Sequence, residues 1–273
     1  MKQIKKTLSI FMVAIFVMAG ILGNGTAKAT VLIPKINYLG VDHSPLVVGD
    51  TEKFTITSEY DGLVQYKAFI FDGEKWSELT SGYGEAVDAK TPYVLPETSA
   101  FKLGKYKLSI WVKRAGVASV NEKGYDTFYI ASLNCVTRDN ANRVYANGDA
   151  KVETKGLTVK LNGIENIGGI KGPYLYRLFI FNPTTGLWSS GAKEYTETPS
   201  YTFKEAGTYV VIVHINTVNS TTWKNYEAGI KKGSYEAWKT IVVNVDDGTK
   251  VFDTSVKAAT VGTSKCNFNS GWY

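Results

Sequence analysis

Two histidines and two cysteines are all that this 273-residue chain offers of the side chains that most often ligate transition metals or act as base and nucleophile near neutral pH. His43 precedes Ser44 and Pro45 in an expected loop, while His214 falls in a strand-like run. The sequence neighbours of neither suggest a base, an orienting acid or a nucleophile, and no G-x-S-x-G elbow is present. A Ser-His-Asp arrangement built from distant residues is not dismissed by counting. Even so, no catalytic residue, metal site or cofactor is expected. Asp72-Gly73-Glu74 and Asp246-Asp247-Gly248 lack the alternating oxygen ligands of a calcium loop and read as turns.

Cys135 and Cys266 fit no zinc spacing. In an exported chain they permit a disulfide from the tail to the middle of the protein, and two unpaired thiols are the alternative. Long apolar runs are also scarce, the exception being Leu8 to Leu22. It follows Lys2, Lys5 and Lys6 and precedes the small-x-small triplet Ala27-Lys28-Ala29, the three parts of an export signal covering residues 1–29. A membrane-spanning anchor is the competing reading, but a span takes roughly 20 apolar residues and this run stops short of Gly23-Asn24-Gly25. Four of the lysines lie in that segment with no acid, so the formal charge of +6 falls to about +2 beyond it. No Lys/Arg stripe remains to suggest nucleic acid. No LPxTG-like sorting signal is present either, so release or noncovalent retention is expected.

What the chain has in quantity is tyrosine, glycine and short alternations of apolar and polar residues, the profile of an all-β protein. The stretch YKAFIFDGEKW, from Tyr66, returns as YRLFIFNPTTGLW, from Tyr176. KLGKYKLSIWVK returns as AGTYVVIVHI, and GYDTFYI as SYEAWKTIVVNV. Tyr66, Tyr106 and Tyr125 thus recur as Tyr176, Tyr209 and Tyr235, at offsets of 110, 103 and 110 residues. A period near one hundred is too long for a solenoid and suits an immunoglobulin-like sandwich, in which two sheets stack to bury the apolar line of each. The expected organisation is therefore a first domain over residues 30–134, a linker over 135–143, a second domain over 144–246 and a polar tail over 247–273.

The segments SPLVVGDTEKFTIT, VQYKAFIFDGEKW, LGKYKLSIWVK and GYD resemble the triple-tyrosine domain, an immunoglobulin or fibronectin type III-like sandwich, over nearly all of the chain beyond the export segment. Its signature tyrosines would be Tyr66, Tyr106 and Tyr125, and Tyr176, Tyr209 and Tyr235. The second copy departs from the pattern, with YEAW in place of YD, His214 where Trp111 stands, and a longer loop through Asn219 to Thr222. The resemblance implies tandem domains of the kind found in secreted cell-wall proteins and amidases of Gram-positive bacteria, here without room for an amidase domain.

The residues divide into two faces. Tyr66, Ala68 and Ile70 are expected inward, with Tyr176 on the corresponding inward line. Tyr106 and Tyr209, each just after a strand-initiating glycine, stand where a sandwich places a tyrosine corner. Phe69, Phe71 and Trp111 are expected outward, with Phe179, Phe181 and His214 in the second copy. Such an aromatic platform could stack on a sugar ring or an extended peptide; alternatively a loop, a helix or the sister domain covers it. The leading expectation is a secreted, non-enzymatic protein that binds a cell-wall polymer or an extracellular protein. A cell-wall hydrolase with an unfamiliar site, or a sensory or assembly subunit, is the alternative.

Overall fold

A computed structural model of the chain describes residues 31–138, 144–169, 171–191, 194–218, 220–229 and 235–248. The expected export segment, Cys266 and all but the first residues of the tail lie outside them. Among the described residues no helix is long and apolar enough to cross a membrane.

The first half builds two facing sheets. One holds β1 (Lys35–Val41), β4 (Phe54–Glu59) and β8 (Tyr93–Val94), in the order β1-β4-β8. The other runs β3-β10-β9-β5-β6, from Leu46–Val47, Thr127–Val136, Gly104–Arg114, Leu63–Phe71 and Trp76–Glu78, with β7 (Val87–Asp88) pairing β5. Alternation selects the core: Val64, Tyr66 and Ala68 of β5 and Leu108, Ile110 and Val112 of β9 meet Phe54 and Ile56 of β4. Each such aliphatic side chain contributes about 1.5–3 kcal/mol on burial. β4 departs from the half-buried strand its alternation predicts, because Thr55 and Thr57 are buried too. The hydroxyl of Thr57 is satisfied by donating to Asn37 Oδ1.

The second half repeats the plan. β12 (Ala150–Lys155), β13 (Thr158–Ile164) and β17 (Ser200–Thr202) form the smaller sheet, and β11 (Val144–Ala146) pairs with β14 (Ile167–Gly169). β15 (Tyr174–Asn182), β16 (Leu187–Ser190), β18 (Gly207–Thr217) and β19 (Ala237–Val245) form the larger one, in the order β16-β15-β18-β19. The chain is thus an all-β protein of two immunoglobulin/fibronectin type III-like sandwiches. Between β18 and β19 stands one short helix, α1 (Thr221–Glu227), where an irregular loop is expected; the Ser220 hydroxyl caps it by accepting from Trp223 N.

Two of the signature tyrosines are corners. The Tyr106 hydroxyl donates to the Lys102 carbonyl and that of Tyr209 to the Glu205 carbonyl, each four residues upstream. The acid after the third tyrosine closes a strand end in both copies. Asp126 accepts from Arg114 N and Nε at 2.7 and 2.8 Å, while Glu236 accepts from the Thr217 amide and hydroxyl at 2.6 and 2.8 Å. YD and YE are therefore two solutions to one buried donor.

Cys135 corrects the expected boundary. It does not begin a linker but lies in β10, fully buried, because Leu46 and Val47 of β3 extend the sheet in parallel past residue 134. Burial pushes its thiol up to about 11, so it is a poor nucleophile.

The two sandwiches share an edge. His43 and Ser44, the strand β2, leave the first sandwich to pair antiparallel with Lys239 and Trp238 of β19. Thr240 Oγ1 donates to the Val41 carbonyl beside them, and the Tyr38 ring stacks on Phe181 at 5.0 Å. Gly40 permits this, since a Cβ there would lie 2.7 Å from Tyr38 Cε1 and the ring has nowhere to retreat. Gly40→Ala is therefore expected to lower stability by about 1–3 kcal/mol in chemical denaturation, an overpacking cost. An unchanged midpoint would show that Tyr38 does not hold the halves together.

Candidate functional site

The outer face of the first large sheet carries a continuous aromatic ladder. Phe69 of β5 meets Trp111 of β9 at 4.8 Å, Trp111 meets Tyr125 at 4.7 Å, and Tyr125 meets Phe128 of β10 at 5.4 Å. Register explains the row: Trp111 lies directly opposite Phe128 on one side and Lys67 on the other. Phe71 packs against Trp76 at 5.3 Å farther along the face. Phe69, Phe71 and Trp111 are half-buried, whereas Phe128 is 51% and Trp76 47% exposed. Lys67 places its ammonium 5.0 Å from the Phe69 ring centre and 3.0 Å from Glu78 Oε2. The ladder therefore presents ring edges and faces beside the Lys67–Glu78 ion pair.

In the second copy the equivalent positions are closed, the covered one of the two readings of this face, so Phe181 and His214 do not form a matching platform. Phe181 is 1% exposed, held between Tyr38 of the first sandwich and Trp188 at 5.1 Å. His214 is 3% exposed, with Phe179 at 4.5 Å and Tyr235 at 4.2 Å. Only Phe179 remains half-buried, under the Arg177 guanidinium at 4.9 Å. The causes differ: Tyr38 of β1 covers Phe181, whereas Tyr235 and Trp238 of the second sandwich itself pack on His214.

Sequence reasoning missed Phe128, the last ring of the open ladder, and the exposed Ile130 on the same face of β10. Phe128 and Ile130 alternate with Tyr129 and Ala131, so period-two reading of β10 could have placed them outward. Tyr125 lies just before that strand and was legible as a signature residue, but not as the bridge between Trp111 and Phe128.

A second cluster, at the junction, was not legible as a site. His43 Nε2 and Asp50 Oδ2 are 2.7 Å apart, and Asp50 also accepts from Val47 N and from the Tyr145 hydroxyl of the second half. The Nδ1 atom of His43 faces Asp42 Oδ2 and Glu52 Oε2, each at 4.0 Å, too far for a hydrogen bond. Lys239 lies fully buried opposite His43 in register. Burial opposes charge on all of these groups. It raises the Asp42 carboxyl and lowers the Lys239 amine from their ordinary values. For His43 burial is outweighed by Asp42, Asp50 and Glu52, and its pKa is pushed up to about 9. For Asp50, burial is outweighed by His43, Tyr145 and the Val47 amide, and its carboxyl lies below the usual range. A cleft of about 430 Å³ opens here, with Asn147 and Asp149 of the second half on its wall. Among the described residues, Asp42, His43 and Glu52 are the group able to hold a metal ion.

No family model matches this sequence, and no curated protein does. Among solved structures the chain is similar to the chicken CNTN1 FN1–FN3 domains, over 74% of this chain and 68% of that one, at 14% identity and a TM-score of 0.23. A likeness at that level says nothing about function.

The His43 shift has a definite sign. A histidine whose pKa is raised on folding stabilises fully below its unfolded value, near 6.5, and that contribution is lost as pH climbs toward 9. In chelator-treated protein the unfolding midpoint should therefore fall across this window, and His43→Gln should flatten the decline. An identical slope in the variant would remove His43 as its source.

Proposed function

We propose that this chain is a secreted, non-enzymatic binding protein that recognises a cell-wall polymer or an extracellular protein through the outer face of its first sandwich. The observation that carries the reading is the half-exposed row Phe69–Trp111–Tyr125–Phe128. Flat rings on a rigid sheet stack on sugar rings or on an extended peptide with little loss of side-chain freedom. Lys107, exposed on the same strand as Trp111, would add attraction for an anionic polymer or an acidic surface. An export segment over residues 1–29 would put the chain outside the cytoplasm, which favours such partners. The closed second face makes the second sandwich a support for the first and removes the argument for equal binding by both.

Trp111→Ala should weaken retention on purified cell wall, or on immobilised surface-protein extract, by roughly 30-fold or more, as expected for a central aromatic anchor. Its unfolding midpoint should move little enough for the protein to remain folded at the assay temperature. Retention unchanged in both Trp111→Ala and Phe69→Ala would contradict the proposal, and which of the two matrices holds the native protein identifies the partner class.

A further inference from the structure

We propose that Asp42, His43 and Glu52 form a binding site for a divalent transition-metal ion, zinc by preference, at the edge of the cleft, with Asp42 and His43 on its wall and Glu52 buried behind them. One ligand atom from each lies within 4.8 Å of the others. His43 is buried, and its Nδ1 has no hydrogen-bond partner among the described residues. The bond between Nε2 and Asp50 leaves Nδ1 with its lone pair free whenever the ring is neutral. A carboxylate behind the ring, orienting and enriching it, is the arrangement typical of metal-ligating histidines.

With the ring neutral, the Nδ1 lone pair stands beside the Asp42 and Glu52 carboxylates. Nδ1 stands 4.0 Å from each carboxylate oxygen. Zinc bonds of about 2.0–2.1 Å in a tetrahedral set hold ligand atoms roughly 3.4 Å apart, so small side-chain rotations close the gap. The other oxygen of Glu52 already accepts from the Asp42 and Lys53 amides, at 2.5 and 3.2 Å, which fixes the carboxylate's plane. The imidazole nitrogen decides the class of ion, because calcium and magnesium prefer all-oxygen sites.

Charge favours a cation as well. The cleft is lined by the acids Asp42, Asp50, Glu97 and Asp149 and by one lysine, Lys53. Lys53, on the cleft wall, is directed toward Glu97 at 3.9 Å. Asp149 lines the same cleft from the second half.

The test is calorimetric titration of the untagged, chelator-stripped full chain with zinc chloride alone, and in parallel with cobalt and with calcium chloride. One zinc ion per chain is expected, with a cobalt complex showing visible absorption and calcium binding at least tenfold more weakly. His43→Gln and Asp42→Asn should each weaken zinc at least tenfold. Asp42→Asn, at the more accessible of the two positions, keeps the test available if His43→Gln fails to fold. No zinc binding below about 1 mM, calcium binding as tight as zinc, or zinc binding unchanged in the folded variants would overturn the proposal.

Discussion

The pairing of His43 and Ser44 with Lys239 and Trp238 is the contact on which the rest of this molecule's character depends. A sheet edge presents unpaired amides and carbonyls, and an open edge invites association. Here the second sandwich has its β19 edge capped by a strand taken from the first. The segment from Lys35 to Val47 consequently serves three sheets in turn: β1 in the smaller sheet of its own half, β2 in the larger sheet of the other, and β3 back in the larger sheet of its own. Charged side chains that would stand in water on a lone domain, Lys239 above all, are drawn out of it by this path. The buried cluster and its shifted ionisations follow from the topology.

The same seam makes two similar halves unequal. Phe71 and Phe181 occupy equivalent places in the repeat, yet one stacks on a half-exposed Trp76 while the other lies beneath Tyr38. Replacement of Trp111 by His214 suits that difference, since a smaller ring fits under Tyr235 and Trp238 in a closed packing. Tyr38 of the first half covers Phe181, and Tyr235 and Trp238 of the second half pack on His214, so the second face is closed where the first stays open.

The sandwich architecture was written in local pattern. Alternation in YKAFIF and in KYKLSIWV fixes which residues enter the core, and glycine before tyrosine marks both corners. Those signals span a few residues and need no knowledge of the other half. What could not be read depends on long-range placement. Asp42, His43, Asp50 and Glu52 lie within eleven residues of sequence, so their proximity was visible, but their burial is created by β19 about two hundred residues away. Likewise Cys135 reads as the start of a linker, because nothing near it announces that β3 extends the sheet.

If the β2–β19 pairing holds in solution, the two sandwiches move as one rigid body. Residual dipolar couplings measured on backbone amides of β5 and β9, and separately of β15 and β18, test this directly. A single alignment tensor fitting both sets is the predicted result. Two tensors that differ in magnitude or orientation beyond error would mean that the halves move independently, and that the β2–β19 pairing does not hold in solution.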